Sequence, residues 1–176
     1  MNLLNAGPSE RGWHRIESAL RCPRLYAWEH SGQMERVLSE PLVRGSLIHI
    51  GLAHYYQRLK ETQTGGNPDD WYPCEEAIQI LAQQESAASP LWEKLVPLAI
   101  DVCTAYKNNW LRESWKILEV EFELRARIGE KKYLYTQRAD LIVEDLDGKV
   151  WIVDLKTAYR IVAKTLRQYT LDGQFL

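Results

Sequence analysis

The chain has 176 residues, 45% hydrophobic and 26% charged, with a formal net charge of −2 at pH 7. That balance predicts a single soluble domain over residues 1–176 with a core of its own, and it neither marks nor excludes a nucleic-acid binder. No apolar run is long enough to span a membrane, the first twenty residues lack a signal-peptide core, and three scattered cysteines (Cys22, Cys74, Cys103) rule against a disulfide framework. A cytoplasmic protein with no membrane partner is expected.

Residues 1–12 read as a loose leader, because Gly7-Pro8 and Gly12 discourage regular structure. Helical patterning begins near Ile16 and is interrupted at Pro23. A second helix is expected to start at Ser46, as a cap after Gly45, with Ile48, Leu52, Tyr55 and Leu59 as its apolar stripe. His49 lies beside that stripe. Thr64–Asp70 reads as a loop. Cys74–Ser86 and Pro90–Trp110 follow as helices, the second continuing towards Trp115, and complete a helical layer over about 13–115.

From Leu118 to Ile128 the even positions are Leu, Val, Phe, Leu, Ala and Ile, while the odd positions from Glu119 to Arg127 are all charged. This period-2 alternation predicts a strand with one buried face. Tyr133–Glu144 and Lys149–Leu155 are the next strands, with turns at Gly129–Lys132 and Asp145–Gly148. They make an antiparallel meander over about 117–156. A trailing helix is expected over about 161–176. Helices, three strands and a helix give an α+β fold, not an alternating βαβ one.

Chemistry concentrates in the meander. Asp154 and Lys156 alternate onto one face of the third strand, and Asp140 lies in the strand before it. Two carboxylates and an ammonium are what metal-assisted phosphodiester hydrolysis needs. Each residue also has a plainer explanation. Asp140 reads as a strand-end acid paired with Arg138, and His49 as a satisfied structural histidine. Asp154 and Lys156 read as an ion pair, partly buried because Val150 and Ile152 share their face. Leu155–Leu171 contains no acid, and within it Arg160, Lys164 and Arg167 fall at i, i+4 and i+7. That helical stripe reads equally as a DNA-facing surface and as a solvated face.

Taken in order, these residues resemble the PD-(D/E)XK nuclease superfamily, and within it the RecB-like and phage-type exonuclease branch. Ser18-Ala19-Leu20-Arg21-Cys22-Pro23-Arg24-Leu25-Tyr26 is similar to that branch's N-terminal signature, and Arg44–His49 to its G-x-x-x-H helix. Glu121 stands at the acid of the first core strand, Asp140 at G-x-x-D, Asp154-Leu155-Lys156 at (D/E)-x-K and Gln174 at the trailing Q-x-x-x-Y.

The resemblance implies a restriction-endonuclease-like core and a Mg²⁺- or Mn²⁺-dependent deoxyribonuclease. It would degrade DNA as an exonuclease in recombination, repair or phage genome processing, in a prokaryote or phage-infected host cell. The same resemblance implies His49, Asp140, Asp154 and the Leu155 carbonyl as metal ligands, with Lys156 at the attacking water or the scissile phosphate. Glu121 would touch the metal or its water shell, Gln174 would hold the lysine or a phosphate, and Thr157 would support the main chain. The glycine of G-x-x-D is Gln137 here, and the sequence reaches Leu176 before the motif's tyrosine. Part of the C-terminal core is therefore expected to be missing, completed by a protein partner or second chain. The alternative is a catalytically impaired module of the same fold that binds DNA or a protein. Some relatives hold an iron–sulfur cluster with one N-terminal and three C-terminal cysteines. Nothing follows Cys103 here, so no cluster is expected and Cys22 reads as a small buried residue.

Overall fold

A computed structural model describes residues 2–6, 9–31, 38–63, 72–110, 115–130 and 132–158. The expected trailing helix, with Arg160, Lys164, Arg167 and Gln174, lies outside them. Among the described residues the elements are α1 (Trp13–Arg21), α2 (Pro23–His30), α3 (Glu40–Thr62), α4 (Tyr72–Glu85), α5 (Leu91–Lys94), α6 (Val96–Trp110), β1 (Lys116–Ile128), β2 (Tyr133–Glu144) and β3 (Val150–Val153). The strands form one sheet in the order β1-β2-β3, so the fold is α+β as expected. Contacts divide the chain into two compact units. One comprises Met1–Gly7, Val37–Glu123 and Arg138–Leu155, and the other Pro8–Arg36, Leu124–Gln137 and Lys156–Leu176.

The first unit is organised around α3. The helix begins at Glu40, not at Ser46, because Ser39 takes the extended cap conformation and Pro41 fits the first turn, where its missing N–H costs nothing. Ser46 is instead inside the helix, its Oγ donating to the Leu42 carbonyl at 3.1 Å. Every residue from Ile50 to Tyr56 is buried, so α3 is covered on all sides and not on one stripe. Leu47, Ile48, Ile50 and Leu52 pack with Ile78, Ala82, Ala99 and Cys103 from α4 and α6. Tyr55 and Tyr56 pack with Ile117, Leu141 and Val143 from the sheet. Gly51 is a point of close approach, since a Cβ there would lie 2.8 Å from Ile78 Cδ1 and 3.0 Å from Cys103 Sγ.

The helix expected over Pro90–Trp110 is two helices. The break falls at Leu95, and Pro97, which has no N–H and would clash with the preceding turn, occupies the first turn of α6.

The buried even face predicted for β1 is not found. Glu121 has φ +50°, a left-handed conformation that costs a non-glycine residue about 1–2 kcal/mol and breaks the pleat. The buried residue of β1 is Ile117, whereas Phe122, Leu124 and Ile128 are 41%, 38% and 46% exposed. Strand β3 ends at Val153, two residues short of expectation, and Val150 and Ile152 are exposed; of the pair expected to be partly buried on their face, Asp154 is half-buried and Lys156 exposed. Its turn is as read: Gly148 has φ +77°, and Asp145 Oδ1 accepts from the Asp147 and Lys149 amides at 2.9 Å each.

In the second unit the N-terminal signature builds a helix pair. Pro23 opens α2, Ser18 Oγ donates to Glu29 Oε2, and Cys22 is the N-cap, its Sγ accepting from the Leu25 amide at 3.4 Å. Cys22 is half-buried and not the enclosed residue expected, because capping keeps its sulfur at the helix end. No helix among the described residues is long and apolar enough to cross a membrane.

Candidate active site

Strands β2 and β3 pair antiparallel with Leu141 opposite Val153 and Ile142 opposite Ile152. Asp140 immediately precedes Leu141 in β2 and Asp154 immediately follows Val153 in β3, so the two acids adjoin the last pair of the ladder. The backbone ladder stops there, and the Asp140 side chain continues it: its Oδ2 accepts from the Leu155 amide at 2.6 Å. Leu155, half-buried, packs against both hydrophobic clusters and anchors the chain just past β3. Asp154 is half-buried, with its Oδ2 withdrawn from solvent.

His49 arrives from α3. It precedes Tyr56 by two helical turns and so shares the face that packs on the sheet. Its Nδ1 lies 3.8 Å from Asp140 Oδ2. This exceeds a hydrogen bond, yet two donors each ~2.1 Å from one small cation can be up to ~4.2 Å apart. An imidazole and a carboxylate at this separation therefore fit joint ligation of a divalent ion. No group of three or more His, Cys, Asp and Glu side chains poised for a metal is formed among the described residues.

Three glutamates that alternation placed on one face of β1 have separate surroundings. Glu119 meets Lys60 at 2.7 Å, and Glu123 meets Arg138 at 3.1 Å. Arg138 also donates to Asn5 Oδ1 at 3.1 Å. Glu121 is coupled electrostatically to Asp140. Burial, then the negative charge of Asp140, pushes its carboxyl up to about 8, against the opposing pull of Arg138. Its backbone is left-handed, at φ +50°.

Lys156 and Thr157 are exposed and follow the end of β3, so strand alternation does not govern where they point. The sequence pattern overlooked Arg138 as an influence on Glu121. Its i, i+2 spacing from Asp140 was the available signal. It also overlooked His54, buried in α3, whose Nε2 accepts from the Leu4 amide at 3.2 Å.

A family model for the PD-(D/E)XK nuclease superfamily matches residues 13–175. The chain belongs to the PD-(D/E)XK nuclease superfamily. The match runs from α1 through the whole sheet and takes in Glu121, Asp140, Asp154 and Lys156. Searches of curated proteins and of solved structures found no match. The three-strand antiparallel sheet with its helical layer agrees with the restriction-endonuclease-like fold of this superfamily, whose nucleases typically employ divalent metals.

Proposed function

We propose that this PD-(D/E)XK protein is a Mg²⁺- or Mn²⁺-dependent DNA exonuclease of the RecB-like branch, working in the cytoplasm in recombination, repair or phage genome processing. In this reading residues 1–176 serve as one nuclease domain. The observation that carries it is the approach of His49 Nδ1 to Asp140 Oδ2 at 3.8 Å, with Asp140 and Asp154 adjoining the last pair of the β2–β3 ladder.

Asp140, Asp154 and His49, with the Leu155 carbonyl, would hold the cation. When bound, such an ion supplies a Lewis acid beside the phosphate and lowers the pKa of water. Burial and Asp140 hold the Glu121 carboxyl up to about 8, and a cation held beside it would favour its ionised form. Lys156 brings an ammonium towards the attacking water or the phosphate, Thr157 steadies the main chain, and Gln174 orients the lysine. Arg160, Lys164 and Arg167, spaced i, i+4 and i+7 in the sequence, would neutralise DNA phosphates.

The test is degradation of linear and circular DNA with Mg²⁺ or Mn²⁺ by wild type, Asp154→Ala and Lys156→Ala. Loss of at least about 100-fold in each variant, with circular DNA spared, is expected. Unchanged degradation by either variant refutes the assignment. The absence of a ready three-donor cluster among the described residues favours a second reading, a module that binds DNA or a protein partner without cutting. Salt-sensitive DNA binding with no metal uptake and no turnover would select it.

A further inference from the structure

The second unit contains a cavity that the proposed hydrolysis does not use. It measures about 900 Å³, and its walls include Glu10, Arg11, Arg15, Tyr26, Tyr133 and Tyr135. That is ample for one or two nucleotide units. The frame is stitched together by Thr136. Ser9 Oγ donates to the Thr136 carbonyl at 2.9 Å, the Arg11 amide donates to Thr136 Oγ1 at 2.7 Å, and the Thr136 amide donates to the Arg11 carbonyl at 3.3 Å. Ser9 and Thr136 are both buried. The segment entering α1 is thus held on β2, and the arginines and tyrosines that line the cavity are set in place before any ligand arrives.

The two arginines differ. Arg11 Nε lies 4.0 Å from Glu10 in an exposed pair of little strength. Arg15 lines the cavity, and its Nε is withdrawn from solvent and meets no hydrogen-bond partner among the described residues, a costly state for a charged group. The tyrosines differ too. Tyr26 already has its ring against His30, with centroids 4.5 Å apart, whereas Tyr133 lines the cavity and is 64% exposed. The described residues of this unit hold eight Lys and Arg against four Glu, while the whole chain holds 22 against 24. Positive potential is therefore local to this unit.

A ligand that answers both the tyrosines and the arginines carries a flat ring and an anion at fixed reach. Inorganic phosphate leaves the tyrosines idle, and a duplex keeps its base faces stacked inside. An unpaired strand presents both groups. We propose that this cavity binds one or two nucleotides of single-stranded DNA, a base stacking on Tyr133 and a backbone phosphate meeting Arg15. The choice of DNA rests on the nuclease reading above, and it makes a substrate with an unpaired end or tail the preferred one.

The experiment is fluorescence anisotropy in EDTA with a labelled oligo-dT of about a dozen nucleotides. Competitors are a blunt duplex, an abasic strand of equal length and a Glu/Tyr-rich peptide. Oligo-dT should bind tightest, Tyr133→Ala and Arg15→Gln should each weaken it about 5-fold or more, and Tyr133→Trp should retain it. Tyr133→Ala carries the test if Arg15→Gln misfolds, because Tyr133 projects from the surface. Wild-type affinity in Tyr133→Ala, equal binding of the abasic strand, or stronger competition by the peptide overturns the proposal. Asp154→Ala separates the two readings. If it still degrades DNA while Tyr133→Ala loses oligo-dT, the hydrolytic assignment falls and the cavity stands.

Discussion

Replacing Glu121 by glutamine should make the metal-free protein more stable near neutral pH while weakening its hold on a divalent cation. The folded carboxyl keeps its proton to about pH 8, whereas an unfolded one releases it near 4.5. Between those values the folded state binds the extra proton, so the Glu121 contribution to stability is greatest below about 4.5 and is lost as pH rises towards 8. At about 1.4 kcal/mol per tenfold change in proton affinity the full penalty is bounded near 5 kcal/mol. Partial contact with solvent screens that value to about 1–2 kcal/mol. Glutamine keeps the shape and cannot ionise, so melting in EDTA at pH 8 should rise by roughly 2–8 °C. The difference should vanish at pH 4.5. In a parallel titration, Mn²⁺ should stabilise wild type and need about 10-fold higher concentration to stabilise the variant. A pH-independent difference, or equal Mn²⁺ stabilisation of both proteins, would refute the reading of Glu121, coupled to Asp140, as a cation-responsive acid.

Gly51→Ala should destabilise although alanine is the better helix former by about 1 kcal/mol, because the added Cβ meets Ile78 Cδ1 at 2.8 Å and Cys103 Sγ at 3.0 Å. Overpacking of about 1–3 kcal/mol outweighs the propensity gain, so Tm should fall by roughly 2–4 °C, and a rise would show that α4 and α6 give way freely. His54 accepts the Leu4 amide while neutral, and burial holds its pKa below 6.5 against the charges of Glu76 and Glu61. The unfolded state binds the extra proton, so His54 withdraws stability as pH falls below 6.5, opposite in sign to Glu121. His54→Gln should flatten that acid-side loss in urea denaturation at pH 7.5 and pH 5. An unchanged slope would contradict it.

Much of the fold was legible because it is written in short-range chemistry. The turn at Asp145–Gly148 follows from an aspartate that can accept local amides and a glycine free to take positive φ. The order of helices before strands follows from the change of period. The start of α3 was misread because Gly45-Ser46 looks like a boundary, while Ser39-Glu40-Pro41 makes the better one. The split of α5 from α6 was present in Pro97 and was passed over because apolar spacing continues across it. The alternation of β1 misled in a different way. Period 2 assigns a residue to a face, but only if the pleat is unbroken, and Glu121 breaks it.

By itself the sequence determined which groups are available and in what order: an imidazole on a long helix, one acid in a strand, and a second acid followed by a lysine across a two-strand turn. Only the tertiary structure decided that Glu119 meets Lys60, Glu123 meets Arg138 and Asp140 raises Glu121, and that Asp140 binds the Leu155 amide while His49 approaches it. The physical reason is that spacing along a chain sets direction, whereas charge coupling depends on depth and separation. Those are settled by α3 packing against β2, between residues about 90 positions apart.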